Sequence, residues 1–218
     1  MAHRRRLAPP PPPPPPPITP PPRGGGAPAP PPAPPPPPRT RPPPFYLHAD
    51  GGLRREPPPR PAPPTRYQAD PEHPVPTIGG NISTGQPLFE GGAFDQRESP
   101  RFYGSRPPYL PLASRPDVLV FQTEPLEEEV EVVGPVTVEL WASSSCVDTD
   151  FTAKLVDVYP PSEDYPQGFA MNLCDGIIRA RFRRSWERPA LLEPGKVERF
   201  TIELYPTANR FARGHRIR

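Results

Sequence analysis

Between residues 136 and 204, apolar side chains recur at every second position in several short segments. In the segment 136–142, valine, leucine and alanine alternate with threonine, glutamate and tryptophan, and the same period returns in 151–155 and 200–204. A period of two puts one set of side chains on a buried face and the other on a face open to water. The pattern therefore predicts a β-sandwich.

Turn-forming residues divide this part of the chain into regular short strands, and helix signals are few. Such a pattern is typical of an all-β sandwich. The predicted strands are 118–123, 130–133, 136–143, 151–159, 169–173, 177–182, 197–205 and 215–218. The predicted turns lie at 134–135, 160–161, 175–176 and 194–195.

The distribution of proline along the chain predicts the domain organisation. Of the 47 prolines, 24 precede Phe45, 15 lie from there to Pro116, and eight lie in the rest of the chain. Proline fixes φ and lacks an N–H donor, so residues 1–44 are predicted to be a disordered, proline-rich tail in polyproline II or coil. Residues 45–116 are predicted to be an extended interdomain connection without a periodic face of its own, and residues 117–218 the sandwich domain.

Charge and hydropathy argue against several function classes. Residues 1–44 hold six arginines and no acid, but a solvated tail is favoured over binding of nucleic acid or membrane. No stretch reaches the roughly 18 to 20 apolar residues that span a bilayer. The proline run from Pro9 removes the apolar core of a secretory signal, so a cytoplasmic location is favoured.

The two cysteines, Cys146 and Cys174, are expected to be free thiols.

Five segments in the second half of the chain have sequences that are more distinctive than their period of two. They are GPVTVELWASS at 134–144, DTDFTAKLVDVY at 148–159, NLCDGIIRARF at 172–182, LEPGKV at 192–197 and GHRIR at 214–218. In order and spacing they resemble the C-terminal domain of the X-Pro dipeptidyl-peptidase and cocaine esterase (CocE/NonD) serine hydrolases. Upstream, FYLHADGGL at 45–53 and DPEHPVPTIGGN at 70–81 are similar to the segment by which that family leaves its catalytic domain. The resemblance covers roughly residues 45–218.

The resemblance implies a jelly-roll (galactose-binding-like) β-sandwich that accompanies an α/β-hydrolase catalytic domain. In that family further strands follow the GHRIR segment, so the sandwich is expected to be truncated at its C-terminus. An unpaired sheet edge is then expected, and an unpaired edge invites self-association.

No catalytic residue is predicted in this chain. The nucleophile pattern G-x-S-x-G is absent, and the nearest string, at 80–85, has the wrong spacing. The resemblance places the serine, aspartate and histidine of the family upstream of the matched region. His48, His73 and His215 are therefore interpreted as structural, and neither cofactor nor metal is predicted.

Other polar and aromatic residues have competing interpretations. Asp148, Asp150 and Asp175 offer oxygen ligands for a hard cation, although turn capping is favoured. Trp141 and Trp186 are possible interdomain or ligand-facing residues; the interdomain role is preferred, because Trp141 lies on the face opposite Val138. The arginines are predicted to alternate along the outer side of one strand, as a solvated face paired with glutamates rather than an anion site: Arg179, Arg181, Arg183 and Arg184.

The functional prediction is an accessory C-terminal β domain of a serine hydrolase that acts on esters or amides, inactive by itself. Two alternatives are a lectin-like jelly roll on a proline-rich stalk, in which Trp141 or Trp186 contacts a glycan, and an interaction protein whose residues 9–17 dock in an SH3- or WW-type groove.

Overall fold

The computed structural model describes residues 44–59, 63–80 and 92–218. In these ranges the regular elements are seven strands and two single-turn 3-10 helices, so the prediction of a nearly all-β chain is confirmed. The predictions for the proline-rich tail fall, apart from Pro44, outside the described residues. None of the described helices is long and apolar enough to cross a membrane.

The strands differ greatly in length, and the four long ones build the sandwich. Strands β1 and β2 span Tyr46–Leu47 and Leu53–Arg54, and the first 3-10 helix covers Leu112–Ser114. The long strands are β3, Val130–Ala142, β4, Asp150–Tyr159, β5, Phe169–Arg179, and β6, Glu198–Phe211. The second 3-10 helix, Ala180–Phe182, follows β5, and β7 is Arg216–Ile217.

All strand pairs are antiparallel, and they form three sheets. One is the small hairpin of β1 and β2, one pairs β3 with β6, and the third has the order β5-β4-β7. The core lies between the two larger sheets: the rings of Phe151 on β4 and Phe200 on β6 have centroids 4.6 Å apart. The same buried cluster contains Cys174, Ile178, Ala180, Leu192, Ile202 and Leu204.

The register of β3 against β6 confirms the alternation that the sequence predicted. Val138 lies opposite Ile202, and Leu140 lies opposite Phe200. These side chains face the core, whereas the intervening residues of both strands are exposed. A period of two thus identified the inner face of this sheet correctly.

Two predicted turns are wrong, because both glycines lie inside long strands. Gly134 adopts φ +114° at a register shift, so β3 continues through residues 134–135 as a bulged strand. Gly176 lies in the middle of β5, where a Cβ atom would collide with the backbone carbonyl of Glu203 on β6. Glycine is needed there for close approach of two backbones rather than for a change of direction.

Two predicted strands also differ from the structure. Residues 118–123 form no strand; only Gln122 makes a bridge, to Gly52. The strand predicted at 177–182 ends at Arg179, because the chain turns into the second 3-10 helix, where the Ala180 N–H donates to the Thr149 carbonyl at 2.8 Å.

The region predicted as an extended interdomain connection contains a small buried cluster. Ile78, Phe102 and Leu112 are buried together. The region also pairs with the edge of β5, where the Gln96 N–H donates to the Ala170 carbonyl at 3.0 Å and the Ala170 N–H donates to a carboxylate oxygen of Asp95 at 2.9 Å. A proline-rich segment without a periodic face therefore still buries three large side chains.

The short strand β7 is hydrogen-bonded on both of its sides. On the side of β7 away from β4, the Thr123 N–H donates to the Ile217 carbonyl at 2.9 Å, and the Ile217 N–H donates to the Thr123 hydroxyl at 3.1 Å. Arg216 also donates to the Thr123 carbonyl. This edge is covered by the segment that precedes β3, which the residues of the last strand alone do not reveal.

Candidate functional site

A buried carboxylate forms the most distinctive polar cluster of the sandwich. Asp157 on β4 is 1% exposed. One of its oxygens lies 2.8 Å from Nδ1 of His215, and the other accepts a hydrogen bond from Nδ2 of Asn209 at 3.1 Å. Burial of a carboxylate is costly unless it is paired and hydrogen-bonded. The cluster therefore ties β4, β6 and the turn before β7 together.

The ring of Tyr159 completes this cluster. Its centroid lies 4.2 Å from that of His215. Burial, helped by the charge of Asp157, raises the pKa of Tyr159, so its phenol stays protonated at neutral pH. The cluster contains an imidazole and a carboxylate but no activated hydroxyl or thiol, and it has the composition of a structural clamp.

The sequence predicts a structural role for His215 but not its partners. The signal was present: Asp157 falls on the same alternating set of β4 as Phe151, Ala153 and Leu155, which face the core. An acid at a core-facing strand position requires a buried partner. The short β7 alone could not show that His215 supplies it.

The other described histidines lie elsewhere and are simpler. Nε2 of His48 is 2.9 Å from the Glu56 carbonyl, and Nδ1 of His73 is 2.7 Å from a carboxylate oxygen of Asp70. A hydrogen bond from the backbone N–H of Glu72, and then the one with His73, lowers the pKa of Asp70. In the part of the chain that the structure describes, no histidine hydrogen bond reaches a serine or cysteine side chain.

The two cysteines are free, as the sequence predicted, but they differ in surroundings. Cys146 is exposed, whereas Cys174 is buried in the core. Burial raises the pKa of Cys174, which keeps it as an unreactive thiol at neutral pH.

The three aspartates considered as cation ligands are each paired with a basic side chain. Asp148 meets Nε of Arg181 at 2.8 Å and also accepts from that residue's backbone N–H. Asp150 meets Arg179 at 2.8 Å. Among the described residues no group of three or more histidines, cysteines or acids is arranged for a metal ion. Asp148 accepts a backbone hydrogen bond, as turn capping requires, whereas Asp150 and Asp175 form cross-strand ion pairs, the latter with Lys154 at 2.9 Å.

The four arginines do not form the single strand face that the sequence predicted. Only Arg179 belongs to β5, Arg181 lies in the second 3-10 helix, and the other two follow it. Arg183 is almost fully buried, and it donates to the Ala190 carbonyl at 2.6 Å. Arg184 shares the carboxylate of Glu198 with Arg183. Arg183 and Arg184, joined through Glu198, therefore organise the loop between β5 and β6.

The two tryptophans are both strongly exposed. Trp141, near the end of β3, is 62% exposed, and the guanidinium of Arg199 lies 5.8 Å from its ring centroid. Trp186, in the loop between β5 and β6, is 73% exposed and stacks on Phe182 with centroids 5.7 Å apart. Large apolar rings on a surface are typical of contact regions. The two tryptophans, rather than the buried cluster around Asp157, are therefore the candidate functional surface of the described residues.

Comparison with known proteins gives this surface its context. Cocaine esterase of Rhodococcus sp. (strain MB1 Bresler) is 43% identical over 154 residues, which are 69% of this chain and 23% of the esterase. A solved α-amino acid ester hydrolase matches 80% of this chain at 30% identity with a TM-score of 0.62. A solved aminopeptidase from a marine sediment Thaumarchaeota archaeon matches 79% at 27% identity with a TM-score of 0.54.

In each comparison the chain spans about a quarter of the relative's length: 23% of the cocaine esterase and 27% of each solved chain. A family model described as the X-Pro dipeptidyl-peptidase C-terminal non-catalytic domain matches residues 26–218. That match begins before residue 45, where the sequence resemblance was expected to start. The chain belongs to the family of X-Pro dipeptidyl-peptidase C-terminal non-catalytic domains.

Proposed function

We propose that this chain is the accessory β domain of a serine hydrolase that cleaves esters or amides, and that it works with an α/β-hydrolase catalytic domain. The observation that carries this proposal is the match over residues 26–218 to a domain described as non-catalytic. The relatives' printed names include an esterase, an ester hydrolase and an aminopeptidase. Acyl transfer to water is common to these activities, and it needs a nucleophile, a base and an orienting acid.

The chemistry of the described residues supports an accessory rather than a catalytic role. His215 has its acid, Asp157, but this carboxylate is buried, and the imidazole is mostly buried against the ring of Tyr159. His73 has its acid, Asp70, but the pair lies on the surface within a short turn. A working triad requires the third member within hydrogen-bond reach of the imidazole. We propose that the triad is supplied by the catalytic domain.

The exposed tryptophans are the proposed contacts with that domain. Trp141 stands on the outer face of β3, where its neighbour Arg199 also pairs with Glu139. Aromatic and arginine side chains are enriched in protein interfaces, where burial of their surface stabilises the contact. The matched relatives give no support to the lectin-like alternative, and residues 9–17 of the proline-tract alternative lie outside the described residues.

The finer fold proposal is a jelly roll of the galactose-binding type. Two antiparallel sheets packed over one core, and the TM-score of 0.62 to the α-amino acid ester hydrolase, support it. In this arrangement the sandwich packs on the catalytic domain and helps to shape its substrate pocket.

A domain exchange tests the proposed function. In Rhodococcus cocaine esterase, the matching C-terminal region is replaced by this chain, and hydrolysis of a p-nitrophenyl ester is measured. We expect the chimera to be active, and the esterase without its C-terminal region to be much less active or unstable. An inactive chimera whose two parts are both folded would contradict the proposal.

The same chimera tests the two tryptophans. Replacing Trp141 or Trp186 with serine should weaken interdomain binding by about 2 kcal/mol, the usual scale for a buried aromatic contact, and lower the temperature at which activity is lost. Tyr103, which is 96% exposed, provides the control: Tyr103→Ser should leave that temperature unchanged. Equal effects of all three substitutions would contradict the proposal that the tryptophans lie in the interface.

A further inference from the structure

Residues of the segment 93–102 line an open cavity of about 350 Å³, and small-molecule sites usually have volumes of about 300–1,000 Å³. One wall of the cavity consists of the rings of Phe94 and Phe102, whose centroids lie 6.1 Å apart in an edge-to-face arrangement. Both rings belong to the small buried cluster that also contains Ile78 and Leu112. The cavity therefore has an apolar side that is fixed by packing.

A tight turn holds Arg101 over this apolar wall. The N–H of Phe102 donates to the Ser99 carbonyl at 3.1 Å, and Pro100 occupies the second position of the turn, which its fixed φ suits. The central carbon of the Arg101 guanidinium lies 5.2 Å from the ring centroid of Phe102 and 5.8 Å from that of Phe94. A guanidinium held on aromatic rings still presents a fork of N–H donors that matches a carboxylate.

Of the charged side chains that line the cavity, only that of Arg101 has no ion-pair partner among the described residues. A carboxylate oxygen of Asp95 lies 3.9 Å from Nε of Arg97. Glu98, whose side chain is largely buried, lies 3.6 Å from the guanidinium of Arg115. Because both acids already have a basic neighbour, the cavity keeps one unpaired positive charge. One such charge favours a monoanion over a cation or a polyanion as the ligand.

A second polar group at the cavity also has no partner. The hydroxyl oxygen of Ser99 is buried and forms no hydrogen bond with any described residue. Such a group is unfavourable in a folded protein unless something else bonds to it. Ser99 begins the turn that places Arg101, so one ligand oxygen near this turn can meet both the free hydroxyl and the guanidinium.

We propose that this cavity binds a small organic monoanion, namely a carboxylate that carries an aryl or alkyl group. Its carboxylate accepts hydrogen bonds from Arg101 and from the hydroxyl of Ser99, and its apolar group packs against the rings of Phe94 and Phe102. Hydrogen bonds between a guanidinium and a carboxylate are stronger than neutral ones because both partners are charged.

The ligand class also has a meaning for the proposed function. Hydrolysis of an ester or an amide releases a carboxylic acid, so a product of the proposed hydrolase belongs to the class that the cavity binds. The binding itself does not rest on the hydrolase assignment, because it follows from the charge and the apolar wall of the cavity alone.

The first test compares three compounds on the full, unsubstituted chain by ligand-observed NMR titration. The probe is 3-phenylpropanoate; 3-phenylpropan-1-ol has the same ring without the charge, and acetate has the charge without the ring. We expect a dissociation constant of about 1 mM or below for the probe, and binding at least tenfold weaker for the other two. Acetate that binds as tightly as the probe would reveal a simple anion contact, and equal binding of the alcohol would reveal a purely apolar contact; either result would refute the proposal.

The second test removes the unpaired charge. Arg101→Gln keeps a polar side chain but loses the guanidinium, and it should weaken binding of 3-phenylpropanoate tenfold or more. Arg106→Gln is the matched control, because Arg106 is an exposed arginine of the same region that does not line the cavity. Its dissociation constant should stay within twofold of that of the unsubstituted chain.

A third test does not depend on how well the Arg101 variant folds. Since the hydroxyl of Ser99 has no partner among the described residues, Ser99→Ala should leave the thermal unfolding midpoint unchanged and yet weaken binding of the probe by about threefold or more. Unchanged binding by Ser99→Ala, equal losses in the two arginine variants, or no binding of the probe at about 10 mM would each overturn the proposal.

Discussion

Removing His215 should cost far more stability than removing a histidine of the same geometry on the surface. His215→Ala leaves the carboxylate of Asp157, which is 1% exposed, with only Asn209 as its side-chain partner. Removing the partner of a buried carboxylate leaves an uncompensated charge, which costs about 3–5 kcal/mol. For a chain of this size each kcal/mol moves the unfolding midpoint by about 2–4 °C. The expected decrease is therefore roughly 6–20 °C.

Thermal and urea unfolding followed by circular dichroism measure this cost. His73→Ala is the control, because His73 lies 2.7 Å from Asp70 but both side chains are about half exposed. Exposed pairs contribute about 0–1 kcal/mol, so this variant should unfold close to the unsubstituted chain. His215→Phe retains a ring against Tyr159 but has no ring nitrogen, and it should be nearly as destabilised as His215→Ala.

Replacing both partners separates the loss of pairing from the loss of packing. The double variant Asp157→Leu with His215→Leu removes the buried charge together with its partner, and it should be more stable than His215→Ala. If His215→Ala and His73→Ala lower the free energy of unfolding by the same small amount, the buried carboxylate of Asp157 does not need His215 as its partner. In that case the clamp would be refuted.

Three further outcomes follow from the core and the sheet faces. Phe200→Ala empties a fully buried position and should lower the free energy of unfolding by about 3–5 kcal/mol in urea titrations; a loss below about 1 kcal/mol would contradict the assigned core. Gly176→Ala should cost about 1–3 kcal/mol by forcing a methyl group against the Glu203 carbonyl, and a neutral result would contradict the close approach of the sheets. The hydrogen bond with Arg179 lowers the pKa of Asp150, so this pair stabilises the fold above the usual aspartate pKa of about 3.9 and loses that effect as the pH falls through the lowered value. Asp150→Asn should accordingly cost no more than about 1 kcal/mol at pH 7, because the pair is partly exposed, and the difference from the unsubstituted chain should vanish in strong acid.

Alternation of apolar residues was sufficient to predict the inner face of the sandwich. In β3 the side chains of Val138 and Leu140 pack inward as their spacing required. The ends of the strands were harder to predict, because glycine occurs both in turns and inside strands. Gly134 and Gly176 each resemble a turn in the sequence, but one forms a bulge and the other permits close contact between the sheets. That distinction depends on what lies across from the glycine in space.

The polar clamp and the edges of the sheets depended on contacts between distant segments. Asp157 and His215 are 58 positions apart, and the contact of Thr123 with Ile217 spans 94. No local sequence pattern predicts such distant contacts, although an aspartate at a core-facing position indicates that it has a buried hydrogen-bond partner. The exposure of Trp141 was predictable, since it followed from the same period of two.

The most direct test of the account is whether the purified chain has any hydrolytic activity of its own. The chain is incubated with a p-nitrophenyl acyl ester, with an X-Pro-p-nitroanilide and with a fluorophosphonate that labels activated serines. We expect product at the uncatalysed rate only, and no labelled serine. Turnover above that rate, together with labelling of one serine whose replacement by alanine abolishes both signals, would contradict the assignment as a non-catalytic domain.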